Sequence, residues 1–355
     1  MATGVKPDFV VVGAGPAGAA FAHYASTRGY SVAVYEGADF AAKPCGWAVP
    51  LQIEKYIKIP SDAILSEING FRVYVDGKLV HESHDQHWGY IVDKHKLIKS
   101  LLESATIHRR YVDIASPIKP RIGSTLLQAR ERVVLAPGLI GLPNIASETI
   151  LAVQQIFRTS KIIDTDIIEI WFDRNLVGYY WVFPRSRNTV DIGVGGYGDA
   201  ESLRSRLRSF AKMKLGHIDP ITPIRGARIN VSGVNEDLLT RKVPIIGEAA
   251  GFVYPLTGEG IRPSIASAYA LFNSIIEDGN PLDKVKSIVK WISLQRKLLD
   301  RIRASSPETR TRVISVLPLD VFTSLGLGEL SIRQLLRALP SLPRSVALIL
   351  RTVLG

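Results

Sequence analysis

Cysteine is almost absent from this chain: Cys45 is its one cysteine among 355 residues. A single cysteine excludes an internal disulfide framework and any metal site built from several thiolates. The seven histidines offer little more, because none of them forms an H-x-x-x-H ligand pair. His81, His84 and His87 lie three residues apart, but a polar loop beside a predicted hairpin explains them better than a metal does. We therefore predict no metal site.

Long apolar runs are also missing. No stretch approaches the roughly 20 apolar residues that a membrane-spanning helix needs. The N-terminus lacks the basic start, apolar middle and cleavage site of a signal peptide. Residues 9–22 are apolar, but three glycines and a proline interrupt them. These absences predict a cytoplasmic protein, and they leave open a peripheral position on the inner face of the cell membrane.

Acidic residues are outnumbered, 33 against 44 lysines and arginines, which gives a formal charge of +11. No basic stripe interleaved with aromatic residues and no DNA-binding motif is present, so we predict no nucleic-acid partner. Anionic lipid headgroups, a phosphorylated substrate and an acidic redox protein remain as partners that the charge would suit. A basic surface without a specific partner remains open as well.

The C-terminal segment, residues 331–355, is leucine-rich and contains arginine but no acid. Its four arginines are Arg333, Arg337, Arg344 and Arg351. One interpretation is a basic amphipathic helix on anionic lipid, broken into short pieces by Pro340 and Pro343. The other, equally supported, is a helical cap that packs on the rest of the protein.

Glycine is placed in a clear pattern near the N-terminus. Gly13, Gly15 and Gly18 follow a predicted strand at 8–12 and open a predicted helix at 16–29. In this context the first glycine allows a tight turn, the second lets a pyrophosphate approach the backbone, and the third lets the helix pack on the sheet. Glu36 ends the next strand, where an acid would accept hydrogen bonds from ribose hydroxyls. The unit predicts a dinucleotide site, although it does not distinguish FAD from NAD.

A second glycine-rich segment, residues 247–261, favours FAD. It follows a predicted strand at 243–246 and leads into a predicted helix at about 259–277. Glu248 at the strand end can hold ribityl hydroxyls, while Gly258 and Gly260 let backbone lie against the isoalloxazine ring. The helix that begins near Gly260 would direct its positive end at the flavin and stabilise its reduced anion.

The other patterns predict how the chain is organised. Asp76-Gly77 indicates a type I′ hairpin within residues 71–80. β-rich stretches at 167–172, 177–183 and 189–195 indicate an antiparallel region, and 199–214 indicates a basic helix. The predicted fold class is α/β, with a Rossmann-like FAD-binding domain interleaved with an antiparallel β-sheet substrate domain, and with C-terminal helices. We assign residues 1–70, 90–150 and 240–280 to the FAD-binding domain, 71–89 and 151–239 to the β-rich domain, and 281–355 to the helical region.

Two more segments carry motifs of a known family. Residues 43–49 read K-P-C-G-W-A-V, and residues 179–184 read Y-Y-W-V-F-P. Together with the first glycine unit they resemble the geranylgeranyl reductases, including the archaeal digeranylgeranylglycerophospholipid reductases, within the FAD-dependent family of para-hydroxybenzoate-hydroxylase-like fold. The resemblance spans residues 8 to about 275. Three departures are Glu248 in place of an aspartate, Pro137 in an Ala-Pro-Gly turn, and Leu176 in place of the proline that begins the second motif.

The resemblance and the glycine units together imply a set of cofactor contacts. These are Gly13, Gly15, Pro16, Ala17, Gly18, Glu36, Gly37, Lys43, Cys45, Gly46, Ala48, Ala136, Gly138, Gly247, Glu248, Gly258, Gly260 and Ile261.

The activity that the resemblance implies is the reduction of C=C bonds in geranylgeranyl or prenyl chains of lipids or diphosphates. Such a reduction needs a hydride from the reduced flavin and a proton from the protein. Cys45 is the implied proton donor, although a lone cysteine that only packs is an equal alternative. Trp47 would narrow the substrate channel. Tyr179, Trp181 and Phe183 share one face of a strand, which forms either an isoprenoid-binding wall or an ordinary aromatic core.

The partners implied are an isoprenoid lipid substrate and an electron donor. No second G-x-G-x-x-G motif is present, so electrons would come from NAD(P)H that docks transiently or from a ferredoxin-like protein. One alternative function is a flavin monooxygenase or halogenase of the same fold, whose W-x-W-x-I-P motif this strand distantly resembles. Another is a flavoprotein retained only as a binding or assembly factor.

Overall fold

The computed structural model describes residues 6–40, 42–84, 86–139, 142, 144–161, 163–338 and 340. Its strands are β1 (Phe9–Val12), β2 (Val32–Tyr35), β3 (Ala48–Pro50), β4 (Ile64–Ile68), β5 (Gly70–Val75), β6 (Lys78–Ser83), β7 (Gly89–Val92), β8 (Thr106–His108), β9 (Arg121–Ile122), β10 (Thr125–Leu126), β11 (Arg132–Leu135), β12 (Thr149–Arg158), β13 (Ile167–Phe172), β14 (Gly178–Ser186), β15 (Thr189–Gly196), β16 (Asp219–Pro220) and β17 (Arg225–Asn230). Its helices are α1 (Pro16–Thr27), α2 (Lys94–Leu101), α3 (Ala200–Leu215), α4 (Glu236–Thr240), α5 (Ile261–Glu277), α6 (Pro281–Ala304), α7 (Pro307–Val316), α8 (Leu319–Leu327) and α9 (Ile332–Ala338).

A parallel sheet in the order β11-β1-β2-β8 forms the N-terminal layer. Helices α1 and α5 pack against each other, and Phe9 of β1 meets Phe21 and Phe272 edge to face. The predicted strand at 243–246 is reduced to a single parallel bridge between Leu135 and Ile245. The chain cannot continue as a strand there because Gly247 turns it away with φ of 73°.

A larger sheet has the order β16-β12-β15-β14-β13-β5-β6, and β17 also pairs with β12. Asp76 and Gly77 both have positive φ, 48° and 81°, as the predicted type I′ hairpin between β5 and β6 requires. The predicted antiparallel region is confirmed, since β13 pairs with β14 and β14 pairs with β15 in antiparallel orientation. The neighbouring hairpin strand β5 pairs with β13 in parallel. The chain reaches β13 from β6 by way of the parallel layer, and a crossover of that length permits parallel pairing.

One face of the large sheet packs against helix α3, and the other borders a cavity. Helix α3 covers one face, where Val190, Ile192 and Val194 of β15 join a core with Leu203 and Leu207. Side chains alternate along a strand, so their neighbours in β14 and β15 point to the opposite face. That opposite face borders the candidate site.

Three of the remaining elements, β3, β7 and β4, form a small sheet in that order beside the parallel layer. Helices α6 to α9 pack around a separate apolar cluster that includes Leu298, Val321 and Leu325. Ala338 of α9 is buried in this cluster, whereas Arg333 and Arg337 are exposed. Arg344, Arg351 and Pro343 lie outside the described residues. Among the helices that the structure describes, none has the length and apolar character to cross a membrane.

Candidate active site

One cavity of about 750 Å³ runs between the parallel layer, the large sheet and helices α6 to α8. The cofactor and substrate residues predicted from the sequence line it, with the exception of Gly18. Gly18 instead lies within the first turn of α1, where a Cβ would stand 1.9 Å from the carbonyl oxygen of Gly13. It is therefore a packing glycine, which is the role expected of the third glycine in the motif.

The turn between β1 and α1 forms a cradle for a phosphate. Gly13 has φ of +99°, and a Cβ there would stand 2.2 Å from the carbonyl oxygen of Ala136. A Cβ on Gly15 would meet nothing within 4 Å, because the space beside it is open cavity. No side chain caps α1, so the amide groups of its first turn are free to bind a ligand. These features fit the pyrophosphate of a dinucleotide.

Glu36 is held rigidly at the end of β2. Its carboxylate accepts hydrogen bonds from the backbone amides of Ala14 and Ala38, both at 2.8 Å. These two bonds leave further lone pairs on a carboxylate, which has about four acceptor positions. Because Glu36 lines the cavity next to the cradle, it can accept ribose hydroxyls as the sequence predicts.

Glu248 has a different surrounding from the one predicted. Both of its carboxylate oxygens accept hydrogen bonds from Lys43 Nζ, at 2.5 and 2.6 Å, and Oε1 also lies 3.2 Å from the backbone nitrogen of Asn230. The sequence placed Lys43 and Glu248 separately among the cofactor contacts. The structure joins them as an ion pair at the cavity wall, so any ribityl hydroxyl would bind the pair rather than a free carboxylate.

Cys45 lies on the loop before β3 and is open to the cavity. Its Sγ accepts a hydrogen bond of 3.4 Å from the backbone amide of Trp47. Trp47 has φ of 53°, a strained value for a bulky residue, and this conformation brings its amide to the sulfur. The protein around the cavity wall desolvates the Cys45 thiol and raises its pKa, while the Trp47 amide, Lys94 and Lys43 oppose that rise. A thiol in this position is neutral at physiological pH and can hold a proton.

Two cations hold the backbone of this loop in place. Arg225 Nη2 donates to the carbonyl oxygen of Ala42 at 2.8 Å, and Lys94 Nζ donates to the carbonyl oxygen of Lys43 at 3.1 Å. Desolvation lowers the pKa of Lys94. The loop that presents Cys45 is thus anchored to the large sheet and to α2.

The three aromatic side chains of β14 share its cavity face, and they are called the aromatic wall below. Tyr179, Trp181 and Phe183 all line the cavity, while Tyr180 between them packs against Phe210 of α3. The Tyr179 hydroxyl donates to the carbonyl oxygen of Thr257, in the glycine-rich loop before α5. The wall therefore faces the same space as the predicted flavin loop.

Close contacts between Gly46 and this wall bring the cysteine loop and the strand together. A Cβ on Gly46 would lie 2.7 Å from the Phe183 ring and 3.0 Å from Trp181 Nε1. A Cβ on Gly193 would lie 2.0 Å from the Trp181 ring, so the indole lies across β15. Only glycine at both positions leaves room for these rings.

Asp191 and Lys94 were not predicted from the sequence. Asp191 lies on β15 with 0% exposure, and its Oδ1 accepts a 2.9 Å hydrogen bond from Trp181 Nε1. Burial raises its pKa to about 6. A single acid within the apolar run of β15 is a signal that could have identified it, because a buried carboxylate rarely occurs without a role. In the part of the chain that the structure describes, no three His, Cys, Asp or Glu side chains are grouped to hold a metal ion.

Comparisons with known proteins agree with this arrangement. Residues 11–49 match the family described as NAD(P)-binding Rossmann-like domain. The digeranylgeranylglycerophospholipid reductase of Picrophilus torridus is 24% identical, covering 94% of this chain and 96% of that protein. The digeranylgeranylglycerophospholipid reductase of Methanocaldococcus jannaschii is 27% identical, covering 72% of this chain and 73% of that protein.

Among solved structures, a geranylgeranyl bacteriochlorophyll reductase-like protein from Thermoplasma acidophilum superposes with a TM-score of 0.74 at 19% identity, covering 98% of each chain. The chain is thus similar over most of its length to proteins named as reductases of geranylgeranyl groups. A flavin-dependent brominase has the same fold, with a TM-score of 0.60 at 15% identity. The match covers 84% of this chain and 87% of the brominase chain.

These relatives confirm the predicted resemblance and the predicted fold class. The curated relatives of this reductase-like chain are named reductases, and its solved neighbours include flavin-dependent enzymes. Both findings agree with the predicted FAD cofactor and the predicted oxidoreductase activity.

Proposed function

We propose that the protein is an FAD-dependent reductase that saturates C=C bonds of geranylgeranyl or other prenyl chains carried by lipids or diphosphates. The observation that carries this proposal is a single cavity that joins the dinucleotide cradle, the Cys45 thiol and a long apolar face. A prenyl chain is an extended hydrocarbon, and an apolar cavity of this kind binds it by removing its surface from water.

The apolar face continues well beyond the aromatic wall. Ile168, Ile170 and Phe172 of β13 extend it along the large sheet. Helices α6 to α8 close the other side, with Phe322 of α8 and with Leu317 between α7 and α8. Because the chain contributes so few polar groups here, the cavity favours a hydrocarbon over a polar aromatic substrate.

The reaction needs a hydride and a proton on neighbouring carbons. Reduced FAD supplies the hydride when it is bound. Cys45 Sγ holds the proton, and the neutral thiol can donate it to the second alkene carbon because it opens into the same cavity. Tyr179, Trp181 and Phe183 orient the chain and exclude water. Their ring faces also stabilise the positive charge that develops on the alkene during protonation.

The electron donor and the cellular position are part of the proposal. NAD(P)H that docks transiently, or a small acidic ferredoxin-like protein, would reduce the flavin, and the charge of +11 suits the second. The substrate is an isoprenoid lipid, so the protein would work in the cytoplasm or peripherally on the inner face of the cell membrane.

The test is to incubate chemically reduced holoenzyme with a geranylgeranyl lipid and with geranylgeranyl diphosphate, and to measure saturated products by mass spectrometry. The expected result is a mass gain of two hydrogens for each bond reduced. Failure to reduce either chain despite full flavin occupancy would contradict the proposal. Oxygen-dependent consumption of NAD(P)H with an aromatic substrate would favour a monooxygenase instead.

A further inference from the structure

One end of the cavity lies beside helices α6 and α7, and the reaction proposed above gives it no role. Leu176, just before β14, and Tyr197, just after β15, line it from the large sheet. Ile302 of α6 and Arg310 of α7 line it from the helices. These four residues define what is called the α7 end of the cavity below.

Strand β14 leads from the α7 end toward the thiol. Arg310 contacts the turn before the strand, since its Nη2 donates to the carbonyl oxygen of Arg174 at 2.9 Å. The Cys45 loop instead lies against Trp181 and Phe183. At about 3.3 Å per residue, these two rings lie roughly 10–16 Å along β14 from its first residue. The guanidinium and the thiol therefore occupy separate places along one cavity.

The lining between these two places is apolar. Val177 and Tyr179 contribute to it beside the large sheet, and Val313, Ile314 and Leu317 contribute to it from α7 and the turn that follows. Such a surface binds hydrocarbon by removing it from water. A prenyl chain that lies along β14 would therefore have one end at the thiol and the other at the α7 end.

Arg310 brings to the α7 end a positive charge that no acid neutralises. Its Nη1 and Nη2 each donate at 2.9 Å to a neutral carbonyl oxygen, of Ser305 and of Arg174. Its Nε is buried without a hydrogen-bond partner, and within the described part of the chain Arg310 forms no ion pair. Cations inside proteins are normally paired, so an anionic ligand would complete this site.

The other cations that line the cavity have different surroundings. Lys43 forms the ion pair with Glu248. Arg110 is exposed and follows β8, which pairs with β2, so it lies on the same side as Glu36 at the dinucleotide end. Among the described residues, Arg310 is therefore the lining cation that faces the apolar part of the cavity without an acid.

Two acids close to Arg310 already have partners. Asp173 also lines the cavity, but its Oδ1 accepts from a backbone amide at 2.7 Å and its Oδ2 lies 3.5 Å from Nη1 of Arg206. Asp76 binds the side chain of Arg174 at 2.8 Å. These contacts leave the charge of Arg310 for a ligand.

We propose that Arg310 binds the phosphate or diphosphate headgroup of the prenyl substrate at the α7 end of the cavity. This headgroup site depends on the proposed function, because both require a prenyl chain in the cavity. A guanidinium suits phosphate oxygens through its charge and its planar set of donors. The chain then runs along β14 to the aromatic wall and Cys45, and the site favours phosphorylated prenyl compounds over free prenyl alcohols.

A simpler role for Arg310 would be to tie α7 to the turn before β14 through its two carbonyl contacts. Three ligands with the same chain separate the two roles: geranylgeranyl diphosphate, a geranylgeranyl phospholipid and geranylgeraniol. The first two carry phosphate, whereas geranylgeraniol is uncharged. A purely structural Arg310 would affect all three ligands alike.

The first experiment measures the Kd of each ligand for the oxidised holoenzyme by tryptophan fluorescence, since Trp47 and Trp181 line the cavity. Arg310→Met should raise the Kd of a phosphorylated ligand about 10- to 100-fold and leave that of geranylgeraniol within about twofold. The phosphorylated ligand with the larger loss identifies the source of the headgroup, lipid phosphate or diphosphate. An equal effect on all three ligands, or no effect, would overturn the proposal.

The matched control is Arg312→Met. Arg312 lies on the same helix, but it is exposed and does not line the cavity. Its three Kd values should equal those of the wild type. Arg310→Lys keeps the charge and loses the planar fork, so it should bind the phosphorylated ligands more tightly than Arg310→Met. A lysine variant no better than the methionine variant would contradict a headgroup site.

The wild type alone provides a test if Arg310→Met fails to fold. It should bind geranylgeranyl diphosphate at least about tenfold more tightly than geranylgeraniol, and salt should weaken only the first interaction. Equal affinities that do not respond to salt would overturn the proposal.

Turnover separates this site from the proposed function. With chemically reduced enzyme, which needs no NAD(P)H, Arg310→Met should raise KM for the diphosphate about tenfold or more and leave kcat within about threefold. If the wild type binds the phosphorylated chains but reduces none, the proposed function fails and the headgroup site stands. If it reduces them and Arg310→Met distinguishes no ligand, the headgroup site fails and the proposed function stands.

Discussion

Cys45 combines two properties that seldom occur together in a cysteine. It is open to the cavity, yet its surroundings are apolar enough to raise the pKa of its thiol. A reactive nucleophilic cysteine shows the opposite shift, because cations or a helix N-terminus stabilise its thiolate. Lys43 and Lys94 lower the pKa of the Cys45 thiol, but desolvation raises it by more. The balance suits a group that holds a proton.

Replacing Cys45 by serine tests this interpretation. Cys45→Ser should keep FAD bound but reduce alkene turnover about 100-fold, because a hydroxyl is a much weaker acid than a thiol. Flavin absorbance gives the occupancy, and mass spectrometry of the saturated product gives the rate. Unchanged turnover would mean that Cys45 is a packing residue.

The stability of Asp191→Asn should depend on pH in a defined way. The pKa of Asp191 is raised from 3.8 to about 6, so the fold favours the neutral carboxyl and stability falls as pH rises through that window. Asparagine carries no such penalty. The variant should be more stable than the wild type by about 2–3 kcal/mol above pH 7, with the difference vanishing below pH 4.

Urea unfolding at a series of pH values measures this difference. A gap between the two proteins that does not change with pH would show that folding leaves the pKa of Asp191 unshifted.

At the scale of elements, the site depends on where two loop backbones meet. The turn after β1 touches the turn after β11, since a Cβ on Gly13 would stand 2.2 Å from the carbonyl oxygen of Ala136. The backbone amide of Ala136 in turn donates a hydrogen bond to the carbonyl oxygen of Val12 at 2.7 Å. Neither of these two turns can move away without breaking hydrogen bonds of the parallel sheet. The position of the cradle is therefore fixed.

Gly13→Ala should therefore disrupt FAD binding. The new methyl group would clash with backbone, and φ of +99° is strained for alanine. We expect FAD affinity to fall at least about tenfold and the free energy of unfolding to fall by more than about 1 kcal/mol. Fluorescence titration and urea unfolding measure these two effects.

Gly279→Ala is the matched control for this substitution. A Cβ on Gly279 would meet nothing within 4 Å, and its backbone does not require positive φ. Its affinity and stability should stay within about 0.5 kcal/mol of the wild type. An equal loss in both variants would show that the damage is not specific to the cradle.

At the scale of the whole molecule, one acid links the large sheet to the C-terminal helices. Glu148, just before β12, contacts Arg296 and Arg303 of α6 and accepts a hydrogen bond from Tyr197. The cavity lies among the parallel layer, the large sheet and these helices. A ligand that fills it would therefore contact several parts of the protein at once.

Binding of FAD should raise thermal stability by mass action. At free FAD 100 times its Kd, the folded state gains about 2.7 kcal/mol. Thermal melts at increasing FAD concentration should show a rising Tm, and Gly13→Ala should show little rise. A Tm independent of FAD in a protein that is fully yellow would contradict this expectation.

Local patterns were enough to predict the first βαβ unit, the 76–77 hairpin turn and β13, because each is specified by its own turn residues and side-chain alternation. Strands β12 and β17 were missed. Gln154 and Gln155 in β12, and Arg225 and Arg228 in β17, make both segments look polar. They become strands because each pairs with the other, and that pairing exists only in the fold.

The sequence by itself predicted a dinucleotide cradle and a flavin loop, since glycine spacing and strand alternation are local properties. Its resemblance to a known family implied a cysteine beside an aromatic strand. Only the tertiary structure decided that Lys43 pairs with Glu248, residues 205 positions apart. It alone placed Asp191 in reach of the charges on Lys94 and Cys45. The physical reason is that ion pairing, burial and pKa depend on which distant side chains share a dry space, and one-dimensional spacing does not encode that.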